Sequence, residues 1–323
     1  MALGLPIHGG DLAGAEARWG RPAAGWLDLS TGINPWPYTL PSLPAEAWTR
    51  LPGGAEDAAL RAAAARRFGT DPAQILAAPG TSALIQALPR TRPPGPVAVV
   101  GPTYGEHARA WAAAGHTVTE IATLDEADAP VVVVVNPNNP DGRVAAPAAL
   151  LARVKPGALL VVDEAFGDMA PALSVAPLLR PGMVVLRSFG KFYGLAGLRL
   201  GFVLGLPEIL APVAAQLGPW PVSGPALAVG AAALSDDAWG DAMIARLAQW
   251  SERLDGVLAA GGLTVTGGTS LFRLASHPQA ASLYDLLGRA GILVRAFENR
   301  PHLLRFGLPA HEADLVRLAQ ALT

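Results

Sequence analysis

Five short runs of apolar, mostly β-branched residues recur along the chain: Val97–Val100, Val131–Val135, Leu159–Val162, Met183–Leu186 and Leu200–Leu204. Each has strand length, is apolar throughout rather than alternating, and is bounded by Gly, Pro or polar residues. Such runs are strands buried on both faces. Between them Ala58–Phe68, Glu106–Ala114 and Ala146–Val154 read as helices. This alternation predicts an α/β fold, a mostly parallel central sheet with helices on both faces. In such a sheet ligands bind beyond the carboxyl ends of the strands.

The residues best suited to chemistry fall at those ends. Tyr104 follows the first run, Asn139 the second, Asp163 closes the third, and Ser188 and Lys191 follow the fourth. One small ligand would reach all of them if the strands are neighbours. The chain has only two lysines, Lys155 and Lys191, among 24 basic residues. Arginine stays protonated in proteins, so an amine that must form a Schiff base has to be a lysine. Lys191 sits in an apolar, Gly-rich stretch, Ser188-Phe-Gly-Lys191-Phe-Tyr-Gly-Leu-Ala-Gly-Leu-Arg199-Leu-Gly201. A phosphate-binding loop of the Gly-Lys-Ser/Thr kind is ruled out there, because Val185 and Phe192 occupy the required glycine and hydroxyl positions.

Composition narrows the classes further. At 323 residues the chain suits one large or two modest domains. A net charge of −2, with no basic stripe, argues against nucleic acid and against recruitment to a membrane surface. With no cysteine, disulfides and thiolate metal sites are excluded, and the histidines lack zinc-helix spacing. The opening Met1–His8 carries neither a basic nor a long apolar segment, so no signal peptide is expected. Val131–Val135 is too short to cross a bilayer. A cytoplasmic enzyme is the default expectation. Three regions are expected: an extended Pro-rich arm within 1–45, a large domain over 46–221, and a small α/β domain over 222–323. The last opens with a long Ala-rich helical stretch broken near Ser235-Asp-Asp.

The lysine segment, with Ser188 three residues before and Arg199 eight after, resembles that of the aspartate-aminotransferase-type (fold type I) pyridoxal-phosphate enzymes. Further motifs follow the family's order from Gly80 to Arg305. The resemblance implies pyridoxal 5'-phosphate as cofactor, Lys191 as its Schiff-base lysine, and Asp163 of Asp163-Glu164-Ala-Phe166 facing the pyridine nitrogen. Glu164 is the adjacent alternative. Asn139 of Asn136-Pro-Asn-Asn139-Pro-Asp141-Gly would bond the ring 3-oxygen, with Asp141 where the family usually has threonine. Tyr104 would stack on the ring. Ser188, Arg199, and Thr81 and Ser82 at a helix start would bind the cofactor phosphate, and Arg305 the substrate carboxylate.

Within that family the opening His8-Gly9-Gly10-Asp11-Leu12 and Leu29-Ser-Thr-Gly32-Ile-Asn34-Pro35 resembles the threonine-phosphate decarboxylases of cobalamin biosynthesis, relatives of histidinol-phosphate aminotransferase. The activity implied is conversion of L-threonine O-3-phosphate to (R)-1-amino-2-propanol O-2-phosphate and carbon dioxide. His8, Gly9 and Arg295 would hold the phosphate end of this phosphorylated amino acid. Gly32 and Asn139 also fall in the implied substrate site, and a homodimer is implied. Phe166 stands where relatives often carry tyrosine. Leu51 stands where histidinol-phosphate-type enzymes offer a tyrosine to the neighbouring subunit. An aminotransferase acting on a phosphorylated substrate is the alternative. A non-catalytic scaffold of the same fold is the other, and it sits poorly with an intact Lys191, Asp163, Asn139 and Arg199.

Overall fold

A computed structural model describes residues 8–323; Met1–Ile7, most of the opening stretch, lie outside them. The strands in chain order are β1 (Leu27–Asp28), β2 (Ile75–Ala78), β3 (Pro96–Val100), β4 (Thr117–Ile121), β5 (Val131–Val135), β6 (Leu159–Asp163), β7 (Met183–Ser188), β8 (Gly201–Gly205), β9 (Thr264–Thr269), β10 (Phe272–Ser276), β11 (Ile292–Leu293), β12 (Arg295–Ala296) and β13 (Leu303–Gly307). The chain divides into two compact units. The larger holds residues 37–139 and 143–240; the smaller holds the residues up to Trp36, 140–142 and 241–323.

The larger unit is built on a seven-stranded sheet of order β2-β8-β7-β6-β5-β3-β4. Only β8 runs against its neighbours; β3, β4, β5, β6 and β7 pair in parallel. All residues of β5, β6, β7 and β8 are buried, as their unbroken apolar runs require. At the edge, β4 reads Thr-Val-Thr-Glu-Ile and is largely exposed. Polar residues there discourage pairing with another chain. The helix Gly54–Phe68 carries Glu56 and Asp57 in its first turn and Arg66 and Arg67 in its last, complementing the helix dipole. It stops at Gly69 in the left-handed conformation.

The helix Gly224–Leu234 is capped by Ser223, whose hydroxyl accepts from the Ala226 N–H, and has Pro225 in its first turn. It belongs to the larger unit because it lies along Gly54–Phe68. A Cβ added at Gly230 would meet Leu60 at 2.8 Å and Leu200 at 2.5 Å. The chain breaks at Ser235-Asp236, where a break was expected, and resumes as the helix Asp237–Ala260. The expected helix over Ala146–Val154 is shorter, Pro147–Leu151. Lys155 precedes Pro156, which disfavours helical backbone at the lysine, and Gly157 follows in the left-handed region.

The smaller unit pairs β12-β13-β10-β9 into an antiparallel sheet and β1 with β11 in parallel. The helices Leu12–Trp19, Ala280–Arg289 and Glu312–Leu322 belong to it. Glycine is required at Gly288, where a Cβ would sit 2.4 Å from the Trp19 indole; the helix Leu12–Trp19 docks there. Among the described residues no helix is long and apolar enough to cross a membrane.

Candidate active site

The strands whose ends carry candidate residues are neighbours in the sheet, in the order β7-β6-β5-β3. Ser188 is the last residue of β7 and Asp163 the last of β6. Asn139 lies four residues beyond β5, and Tyr104 four beyond β3. The register of β8 adds the remaining pieces: Gly201 pairs with Ala78 on one side and Ser188 on the other. The approach to β8 (Arg199) and the exit from β2 (Gly80, Thr81) are thereby brought beside Ser188.

Thr81 opens the helix Thr81–Ala87, and the cap position before it is Gly80, at φ +83°, with no side-chain cap. Thr81 and Ser82 are therefore not acting as caps. A Cβ at Gly80 would stand 2.7 Å from Arg199 Nη2, and one at Gly201 would stand 2.6 Å from the Thr81 backbone nitrogen. Only glycines allow the guanidinium and the first amides of this helix to approach one another so closely. Arg199 itself has φ 54°, a left-handed conformation unfavourable by about 1 kcal/mol for a residue with a Cβ. Strain of that kind collects at functional sites. The Ser188 hydroxyl caps no helix either. A cationic fork, two hydroxyls and helix-start amides form a donor set that fits a phosphate monoester.

The two adjacent acids are used differently. Glu164 is fully buried. It accepts from Arg187 Nη1 at 2.8 Å, Ser174 Oγ at 2.6 Å and the Val175 N–H at 2.7 Å, so its carboxylate is committed to structure. Arg187 also donates to Asp168 at 2.8 Å and lies over the Phe68 ring. Burial alone would depress the Arg187 pKa; the two carboxylates outweigh it and hold it above the ordinary arginine value. Asp163 makes a different set of contacts. One carboxylate oxygen accepts the Ala165 N–H at 2.9 Å, and the other lies 2.7 Å from His107 Nε2. His107 was not singled out in the sequence. It sits three residues after Tyr104, on the helix Glu106–Ala113, and only the structure shows that its imidazole is buried.

Tyr104 is half-buried against the apolar core and meets the His107 ring edge-on at 6.3 Å. Burial, then the charges of Glu106 and Asp163, push its phenol up. The turn carrying Asn139 is pinned by its neighbours. Asn136 exchanges two hydrogen bonds with Ala145, and the Asn138 side chain joins Thr103 to the Pro102 carbonyl. The Lys191 ammonium lies 5.9 Å from the centre of the Phe166 ring. Behind the lysine, Tyr193 is stacked between Phe189 at 4.4 Å and Trp239 at 5.5 Å, which holds the segment rigidly. Leu51 is 67% exposed.

The smaller unit carries the other candidates. Arg295 and Arg305 are directly paired residues of the antiparallel ladder β12–β13. Arg305 is buried, donates from Nη2 to the Ser30 carbonyl at 2.8 Å and lies 5.1 Å from the Phe272 ring centre. Burial, and then the charge of Arg295, bring its pKa down to about 10. Two guanidinium groups opposite one another across a ladder form a cationic patch suited to an anionic ligand. A narrow surface cleft lies beside it, lined by His8, Gly9, Gly10, Ser30, Tyr284 and Arg295 among others. Its wall is ordered through Ser30, whose hydroxyl donates to Asp28 at 2.6 Å and accepts the Gly10 N–H at 2.7 Å. Gly9 has no space for a side chain: a Cβ would stand 2.3 Å from the Ser30 carbonyl oxygen. Gly32 is buried just after β1.

A sheet of this order, a lysine after β7, an aspartate ending β6 and a set of anion-suited donors at β2 and β8 occur together here. The aminotransferase class I and II family matches residues 44–322, and the chain belongs to that family. Within it, the chain is 49% identical to a threonine-phosphate decarboxylase of Pseudomonas aeruginosa, covering 98% of this chain and 96% of that one. It is 48% identical to another of that name from a Sinorhizobium species, covering 98% and 97%. Among solved structures it is similar to the histidinol-phosphate aminotransferase of Sinorhizobium meliloti in complex with pyridoxal-5'-phosphate. The TM-score there is 0.82, at 25% identity, covering 99% of this chain and 94% of that one.

Proposed function

We propose that this chain is a pyridoxal-phosphate-dependent decarboxylase. It converts L-threonine O-3-phosphate to (R)-1-amino-2-propanol O-2-phosphate and carbon dioxide in cobalamin biosynthesis. The observation that carries this reading is the pairing of Arg295 with Arg305 beside the His8–Gly9 cleft, two cations suited to a substrate with a phosphate and a carboxylate. The names of relatives near 49% identity support it. A histidinol-phosphate-type aminotransferase is the second reading, supported by a more distant likeness at 25% identity.

In this reading Ser188, Arg199 and the amides and hydroxyls of Thr81 and Ser82 hold the cofactor phosphate. Asp163, fixed by His107, would hold the ring nitrogen, Asn139 would hold the 3-oxygen, and Tyr104 would supply the flat surface against the ring. Lys191 is the amine that would hold the cofactor. Pyridoxal phosphate, when bound, supplies an electron sink for the pair left on Cα as carbon dioxide departs. How the chain's residues hold the two anionic ends of the substrate would decide between decarboxylation and transamination. His8, the Gly9 amide and Arg295 take the phosphate, and Arg305 orients the carboxylate. The Lys191 amine would supply the proton to Cα.

We assign the working form as a cytoplasmic homodimer. Trp48, Leu51 and Trp220 of the larger unit are each more than half exposed, and Gly224 packs directly on the Ala47 carbonyl, which groups them on neighbouring segments. Exposed large apolar side chains in one area mark an interaction surface.

The test is release of carbon dioxide from carboxyl-labelled L-threonine O-3-phosphate by purified protein with pyridoxal phosphate and no keto acid. Release with formation of aminopropanol phosphate is expected. Loss of the amino group only when a keto acid is supplied would replace this reading with the aminotransferase.

A further inference from the structure

Tyr284 has no part in any of the roles above, yet it lines the same cleft as His8, Gly9 and Arg295. It lies on the helix Ala280–Arg289 and is 2% exposed. Its ring is buried, while its hydroxyl makes no hydrogen bond to any of the described residues and is not sealed from solvent, so it can donate to a ligand in the cleft.

The ring is held in place from outside the cleft. Trp19 meets it edge-on at 5.2 Å, and Trp19 is fixed by donating from Nε1 to Asp285 at 2.7 Å and by the notch at Gly288. The Arg18 guanidinium lies 5.5 Å from the ring centre. Burial raises the phenol's pKa above its ordinary value. The positive charges of Arg18 and Arg295 act in the other direction and Asp11 adds to the rise. The hydroxyl therefore carries its proton at neutral pH and is available as a donor. Asp11, the one acid on the cleft wall, is occupied as the cap of the helix Leu12–Trp19, accepting from the Gly14 N–H at 2.9 Å. Arginine, histidine, backbone amide and phenol then line one cleft together, an arrangement that recognises a tetrahedral oxyanion.

We infer that Tyr284 is a substrate-binding residue, donating its phenolic hydrogen bond to a phosphate oxygen of the substrate alongside Arg295 and His8. This rests on the reading of the cleft as the phosphate site. It also gives the helix Ala280–Arg289 a share in specificity: a phosphate ester would be favoured over an analogue ending in hydroxyl or methyl, which would leave the phenol unsatisfied.

The variant is Tyr284→Phe, which keeps the ring and its packing against Trp19 and removes only the hydroxyl. A hydrogen bond to a charged acceptor predicts a rise of about tenfold or more in KM for L-threonine O-3-phosphate, and a similar weakening of inorganic phosphate binding measured by thermal protection. The visible absorbance of the bound cofactor and kcat should change little. Equal KM and equal phosphate protection in the two proteins would overturn the proposal, since a merely structural ring is retained in phenylalanine. Should the unaltered protein release no carbon dioxide, the decarboxylase reading falls, and the comparison of phosphate protection still decides whether Tyr284 binds the anion.

Discussion

Asp163 and His107 are in contact at 2.7 Å, and neither is more than 3% exposed. A buried carboxylate must be compensated, and here one oxygen is held by imidazole and the other by a backbone amide. The imidazole fixes the orientation of the acid proposed to hold the cofactor's ring nitrogen. Replacing His107 with Ala should leave the fold intact but lower kcat and weaken cofactor retention by about tenfold or more, as removal of an orienting partner does. Spectrophotometric titration with pyridoxal phosphate alongside steady-state turnover measures both.

Lys191→Ala should abolish turnover, because no other amine lies in the segment; Lys155, the second lysine, is exposed and lies 3.5 Å from Asp128 on the surface. Cofactor binding should persist through the phosphate donors. Turnover at the rate of the unaltered protein would remove Lys191 from the mechanism.

Glu164→Gln tests a structural role against a chemical one. It removes one charge from the buried Arg187–Glu164–Asp168 network. Breaking such a network costs about 3–5 kcal/mol. The loss should appear as a lower urea midpoint, with kcat in the surviving folded protein reduced far less than by Asp163→Asn.

The Arg295–Arg305 pair predicts a trade. Arg295→Gln relieves like-charge opposition across the β12–β13 ladder, and should raise the stability of the unliganded protein by about 0.2–1 kcal/mol. The same change should raise KM for the phosphorylated substrate. Thermal unfolding with and without inorganic phosphate separates the two effects: the variant should gain less from phosphate than the parent does.

Leu51→Asp places a charge among the exposed apolar residues of the larger unit. If that surface joins two copies, sedimentation should show the variant shifted from dimer towards monomer at micromolar concentration.

Much of the sheet was legible because β5, β6 up to Val162 and β7 up to Leu186 are apolar without a break, a pattern that two-sided burial demands. The short β2 and the polar edge strand β4 carry no such pattern and were not read. Strand ends then placed Tyr104, Asn139, Asp163, Ser188 and Lys191 without knowledge of the fold's details. His107 escaped because a single histidine on a helix has no periodic signature; what it does is fixed by Asp163 at the end of β6, not by its own neighbours in sequence. The opposition of Arg295 and Arg305 was also hidden, since β12 is two residues long and its register with β13 exists only once the turn between them has formed. His8 was readable only through resemblance; nothing in its flanking residues marks a binding histidine.

The two acids at the end of β6 stand side by side in sequence and serve opposite purposes. Asp163 addresses the site, while its neighbour Glu164 closes a buried ion network. Exchanging them, in a double variant Asp163→Glu with Glu164→Asp, would preserve composition, net charge and the acidic character of the segment. Yet each carboxylate would be one methylene too long or too short for its partner. The order of two letters thus carries information that no count of charges contains, and libraries or alignments that score the segment merely as acidic would treat as equivalent two sequences that this backbone does not.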